Sequence, residues 1–301
     1  QEPDANSGLW LGVALGELAL RGRDKLTFVV DGPVSSFGVW VEQLIAESTG
    51  KEGKGILPVA DEPLAAPGDY GPDRVFVHLR NEHAPDAGHA EWVASLAAAG
   101  HPTLTATFAG APDLGRLFFF AEFATAVAGW VLGINPFDQP NVQAAKDATQ
   151  RVLDEGAPAL EDGDLSDLLG DALEPPRYLA IMGYLPYSAE VEAAVGRLRR
   201  AVVERHGVAT TFGYGPRFLH STGQLHKGGP HVGAFLQLTH DSDFDLEIPG
   251  RPFGFRTLIS AQADGDLQTL RGHDLKAARV RLPAGDPAGG IAALTRRIEG
   301  D

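Results

Sequence analysis

The chain has 301 residues, 44% hydrophobic and 22% charged, enough for two domains of ordinary globular composition. A net charge of -15 disfavours nucleic acid, whose phosphate backbone needs a basic footprint, but leaves room for a small anionic ligand in a locally positive pocket. Zero cysteines excludes disulfides and thiolate chemistry. No run reaches the ~18–20 apolar residues of a membrane span; residues 117–134 come closest but include Glu122. The first residues are polar and lack the basic start of a secretory signal, so a cytoplasmic protein with no membrane partner is expected.

In chain order, apolar residues at helical spacing predict a helix over 9–20, stopped by Gly22. A strand over 25–30 ends at Asp31-Gly32-Pro33, and Ser35 or Ser36 caps a helix to about Glu47. A glycine- and charge-rich loop, Ser48 to Gly55, lacks the order of a nucleotide-binding P-loop. Strands follow at 56–59, 74–79 and 103–108, with a helix over 90–99, a long apolar helix over 114–134 and another over 142–153. Trp10, Trp40 and Trp130 sit in helical apolar patterns and read as core. This alternation predicts an α/β fold, a mostly parallel sheet covered on both faces, with ligands beyond the carboxyl ends of the strands. Glu62 and the 48–55 loop are expected there.

Residues 157–176 are acidic and rich in Gly and Pro, and read as a linker with a short helix at 165–169. It separates a domain over 1–156 from a smaller α/β lobe over 177–301. That lobe reads as strand 178–184, helix 189–206 capped by Ser188, strands 209–212, 232–238 and 278–282, and helices 255–270 and 291–298. Residues 214–230, with Arg217, His220, Ser221, Thr222, Gln224, His226 and Lys227 between glycines and prolines, read as a polar loop carrying a site.

Several stretches together resemble phosphoglucose isomerase, specifically its bacterial form fused behind a transaldolase. They are Gly22 to Lys25, Glu42-Gln43-Leu44-Ile45-Ala46-Glu47-Ser48-Thr49-Gly50-Lys51, Gly133-Ile134-Asn135-Pro136-Phe137-Asp138-Gln139-Pro140, and Phe218 to Gly229. The resemblance covers this chain but only the latter part of the family's polypeptide. It implies a three-layer sugar-isomerase (SIS-type) domain and partners in an upstream isomerase domain, a transaldolase domain or a second subunit. It also implies interconversion of glucose 6-phosphate and fructose 6-phosphate through an enediol, with no metal or organic cofactor. Such chemistry needs a carboxylate base, a ring-opening group and donors for the developing oxyanion. The resemblance points to Glu62, in Asp61-Glu62-Pro63, as base and to Lys227 as the lysine contacting sugar oxygens. His220 and His226 are candidates for ring opening; His78 and His83 lie near the family's own histidine but lack its motif. Ser48, Thr49, Lys51, Ser221, Thr222, Gln224 and His226 are expected to bind substrate. The signature departs from the family at Asn141 and Gln143, so Gln143 receives no proton-transfer role. No histidine trio, including His220, His226 and His231, has a recognised metal-ligand spacing. Two rival readings are a sugar-phosphate-binding module without catalysis and another sugar-phosphate isomerase.

Overall fold

The computed structural model of the chain describes residues 6–140, 142–156, 160–169, 173–242 and 244–300; the side chains of 142–146 lie outside that description as well. Asn141, the side chain of Gln143 and parts of the expected linker are therefore outside the described residues.

The first half contains α1 (Ser7–Leu20), β1 (Lys25–Val30), α2 (Phe37–Thr49), β2 (Leu57–Val59), β3 (Arg74–Asn81), α3 (Ala87–Ala98), β4 (Thr103–Phe108) and α4 (Leu114–Leu132). Its four strands form a fully parallel sheet in the order β2-β1-β3-β4. Then come α5 (Val142–Glu155), α6 (Ser166–Leu169), β5 (Tyr178–Tyr184), α7 (Ala189–His206), β6 (Ala209–Tyr214), α8 (Ser221–Gly228), β7 (Gly233–His240), α9 (Phe255–Gly272), β8 (Lys276–Leu282) and α10 (Pro287–Glu299). The second sheet, also parallel, has the order β6-β5-β7-β8. The two sheets thus follow the same course and have equal strand numbers.

Central parallel strands are buried on both faces, and β5 is buried throughout. Leu179 and Ile181 face α7 and α10, whereas Tyr178, Ala180 and Met182 face the layer of α8 and α9. In the first sheet Val75, Val77 and Leu79 join the core under α1, α2 and α4, and Phe76 meets Leu96 of α3 on the other side. Both sheets are therefore sandwiched between helices. α5, which the sequence places in the first lobe, packs along α9 of the second.

Three expectations fail here. Trp10 and Trp130 are 60% and 75% exposed; only Trp40 packs inward, against Phe37 and Phe118. By length and composition Ala111–Leu132 is apolar enough to cross a membrane, with mean hydropathy 1.3. It packs Leu117, Ala121, Ala124, Ala128 and Leu132 into the first core. Finally, residues 214–230 are no open loop. They form a single turn at Arg217–Leu219 followed by α8, whose residues Ser221 to Lys227 are all buried. Its glycines serve contact rather than flexibility: a Cβ on Gly223 would lie 1.8 Å from the Phe218 carbonyl oxygen.

Candidate functional site

Along α2, Val41 and Ile45 turn into the first core with Leu44 packed against its margin, while Gln43 is exposed and Glu47 and Ser48 are half-buried. Beyond its end, Lys51 is buried and its Nζ donates to the Asn135 carbonyl oxygen at 2.8 Å and pairs with Asp138 at 3.2 Å. Lys54 Nζ reaches the Leu132 carbonyl at 2.8 Å, at the carboxyl end of α4 where a cation suits the helix dipole. Gly133, at φ 69, lets the chain leave that helix. Asn135 Oδ1 accepts from the Phe137 backbone N–H at 3.1 Å, which shapes the following turn. These bonds hold the turn beside α2 and leave a cleft of about 300 Å³ lined by Trp40, Gln43, Leu44, Glu47, Ser48, Pro136 and Gln139. Among the described residues, no ion pair or side-chain hydrogen bond engages Glu47.

One turn back along α2, Glu42 faces the second half of the molecule. Arg217 Nη2 donates to it at 2.8 Å and to the Val39 carbonyl at 2.9 Å. Burial pushes the Glu42 carboxyl up to about 7, against the pull of Arg217 and Arg199. An inter-lobe cleft of about 240 Å³ opens there, lined among others by Tyr187, Arg199 and Tyr214.

The expected site residues separate into structural and accessible groups. Glu62 is 6% exposed; one of its carboxylate oxygens pairs with Arg74, and the other accepts from Thr210 N at 2.9 Å and Thr210 Oγ1 at 2.8 Å. Both oxygens are committed, so Glu62 is a clamp rather than a free base. Thr210 carries Glu62 on the α7 face of the second sheet, since its Oγ1 also meets Arg199 of α7, while α8 covers the other face. Glu62 and the helix bearing His226 and Lys227 consequently share no cleft. Lys227 Nζ is buried on Asp266 at 2.7 Å and the Phe218 carbonyl at 3.0 Å. His226 lies between Phe218, Tyr178 and Phe235; burial, helped by Lys227, pushes it down to about 3, so it is neutral near pH 7. Gln224 Nε2 donates to the Gly50 carbonyl at 2.9 Å, and Ser221 and Thr222 are buried. Thr49 bonds the Ile45 carbonyl and the Ile56 N–H. Of the expected set only His220, exposed at the start of α8, and Ser48, half-buried at the cleft, are reachable. The 48–55 loop enters β2, placing it at the amino rather than the carboxyl ends of the strands. Sequence reasoning passed over Glu47 and Gln139, although both lie inside the quoted motifs.

No known family profile matches the chain. Among curated proteins, it is 32% identical over 163 residues to the glucose-6-phosphate isomerase of Symbiobacterium thermophilum, covering 40% of this chain and 35% of that one. It is 30% identical over 196 residues to the enzyme of that name from Alkaliphilus metalliredigens, covering 53% and 43%. This chain is similar to glucose-6-phosphate isomerases over part of its length. It spans less than half the length of these relatives. Among solved structures, a hypothetical protein from Thermus thermophilus superposes with TM-score 0.37 at 15% identity, covering 98% of this chain and 81% of that one. The C-terminal domain of glucosamine-fructose-6-phosphate aminotransferase from Francisella tularensis gives 0.28 at 12%, covering 99% and 91%. Scores this low carry no argument about the site.

Proposed function

We propose that this chain is part of a sugar-phosphate aldose–ketose isomerase, interconverting glucose 6-phosphate and fructose 6-phosphate, with the sugar seated in the cleft between α2 and the 135–139 turn. The observation that carries this reading is the convergence of two motifs, 42–51 and 133–140, around one cleft whose carboxylate, Glu47, is unpaired among the described residues. Lys51, 84 residues before Asn135, makes that join.

In this reading Glu47 moves the proton between C1 and C2 of the open-chain sugar. Ser48 Oγ and the side-chain amides of Gln43 and Gln139 donate to the hydroxyls and to the oxygen that gains charge in the enediol. His220, exposed at the start of α8, is the candidate for ring opening. α8, which begins just after it, is anchored on Gly50, three residues beyond Glu47. The phosphate-binding groups come from an upstream domain or a second subunit. A binding module without turnover is the second reading; it is favoured by the lack of any lysine or arginine lining this cleft among the described residues.

The test compares Glu47→Gln and Glu62→Gln in the intact polypeptide. Glu47→Gln is expected to lower kcat about 10²–10⁴-fold, the usual worth of a general base, with Tm unchanged and glucose 6-phosphate still raising Tm. Glu62→Gln is expected to lower Tm first. Full turnover in Glu47→Gln would remove the isomerase role of this cleft, and ligand-induced stabilisation without turnover in either form would select the binding module.

A further inference from the structure

A parallel sheet in which the second strand lies on one side of the first and the third on the other has a crevice at the carboxyl ends of the first and third. In the first sheet that crevice lies between β1 and β3. Asp31 immediately follows β1 and its backbone N–H bonds the Leu79 carbonyl of β3 at 3.0 Å. Its side chain is fully buried. Oδ1 lies 3.0 Å from His78 Nε2, a buried residue of β3, and 2.9 Å from His89 Nδ1, in the first turn of α3. These three donor atoms all lie within 4.8 Å of one another.

We propose that Asp31, His78 and His89 bind one divalent first-row transition cation of the zinc class. Two imidazole nitrogens and a carboxylate oxygen are the donors such ions favour, whereas magnesium and calcium demand mostly oxygen. Metal bonds of roughly 2.0–2.2 Å at tetrahedral angles hold neighbouring donors about 3.4 Å apart, so each imidazole moves slightly back from Asp31 while the two ring nitrogens, within 4.8 Å of each other, draw together. The remaining carboxylate oxygen is already aimed. Asp31 Oδ2 accepts from the backbone N–H groups of Asn81 and Asp86, each at 3.1 Å. Asn81 Nδ2 in turn bonds the Gly32 carbonyl at 2.7 Å. Such outer bonds orient a metal-binding carboxylate.

Charge argues the same way. Asp31 has no lysine or arginine partner among the described residues; the bonds it accepts come from imidazoles and backbone N–H groups. Four hydrogen bonds hold Asp31 in its buried place, and a divalent ion would replace the two from the imidazoles with metal bonds while the two backbone bonds remain. The ion takes the place of the N–H protons that His78 Nε2 and His89 Nδ1 present to Asp31 Oδ1, so binding releases protons. His89, whose side chain is 29% exposed, is the solvent-facing member of the trio. The site lies at the opposite end of α2 from Glu47, a helix roughly 20 Å long at ~1.5 Å per residue, so it stands apart from the proposed sugar cleft.

The experiment titrates the untagged chain, stripped by chelator, with zinc, cobalt(II) and magnesium, following heat, the cobalt d–d spectrum and Tm. One equivalent of zinc is expected to bind and raise Tm, cobalt to give a tetrahedral-type spectrum, and magnesium to do neither. His89→Ala, at a half-buried surface position that leaves the core intact, should weaken binding by more than the roughly 10–100-fold that loss of a supporting bond costs. His231→Ala, at an exposed histidine elsewhere, should leave it unchanged. Binding that survives His89→Ala, equal binding of magnesium, or no binding at micromolar zinc overturns the proposal. Should Asp31→Asn fail to fold, the His89→Ala comparison still decides.

Discussion

A histidine whose ring is packed among Phe218, Tyr178 and Phe235 cannot serve as an acid–base group near pH 7, and among the described residues His226 Nδ1 has no hydrogen-bond partner. Its cost appears in acid. The native ring stays neutral down to about 3, while in the unfolded chain it takes a proton near 6.5. A depressed histidine pKa gives stability that is complete above the unfolded value and is lost as pH falls from 6.5 toward the folded one. At pH 5 the loss is about 2 kcal/mol. His226→Leu, similar in volume and without the unpaired nitrogen, is expected to abolish that share of the acid-side fall in stability. Denaturant melts of both proteins at pH 8 and pH 5 measure it; parallel losses in the two would show that His226 does not titrate as argued. The sequence offered His226 as a functional donor because histidine between glycines suggests a loop. Only the packing of Phe218, Tyr178 and Phe235 around it reveals its burial.

At the scale of elements, what sequence made legible was periodicity. β1, β4, β5 and α7 have the bounds that apolar runs and capping residues predict, and Ser188 Oγ does accept from the Val191 N–H at 3.2 Å. What stayed hidden was contact made through small or charged residues. α8 looks like a loop because glycine and polar residues dominate it, yet Gly50 is the place where Leu225 seats; a Cβ there would lie 2.3 Å from the Leu225 Cα. Trp10 and Trp130 look like core because they sit in apolar helices, and the pattern cannot tell which side of a helix meets the sheet. Lys51 was legible as a motif lysine, but its partner is a backbone carbonyl far along the chain. It follows that Lys51→Met, leaving the Asn135 carbonyl short of its donor, should destabilise by about 1–3 kcal/mol and weaken binding of glucose 6-phosphate in the intact polypeptide. Lys54→Met should cost less, because residue 54 is exposed and water replaces its bond. Chemical denaturation of both variants tests the order; an equal cost would mean that burial of Lys51 contributes nothing to holding the 133–140 turn.

At the scale of the molecule, the two sheets are joined by polar bonds that no sequence pattern foreshadows. Arg199, in the middle of α7, is 4% exposed. Its guanidinium donates to the carbonyl oxygens of Asp61 at 2.7 Å, Ala60 at 3.0 Å and Thr210 at 2.8 Å, and to Thr210 Oγ1 at 3.1 Å. Beside it Glu62 spans from Arg74 of the first sheet to Thr210 of the second, and Arg200 Nη2 reaches the Leu64 carbonyl at 2.6 Å. The Asp61-Glu62-Pro63 element that the sequence presents as catalytic is therefore the seam between the halves. Two apolar clusters also cross between the halves, Ala46, Leu57 and Val59 with Tyr178, Ala209 and Leu225, and Phe76 and Leu96 with Val203, so cooperativity rests on this seam together with those contacts. Arg199→Leu fills the space but strips donors from three carbonyls, at a cost of roughly 3–5 kcal/mol for a broken buried charge network. Scanning calorimetry is expected to show one transition for the wild-type chain and one at lower Tm for Arg199→Leu, because the shared apolar clusters still couple the sheets. A single transition at unchanged Tm in the variant would show that the halves are held by apolar contact alone.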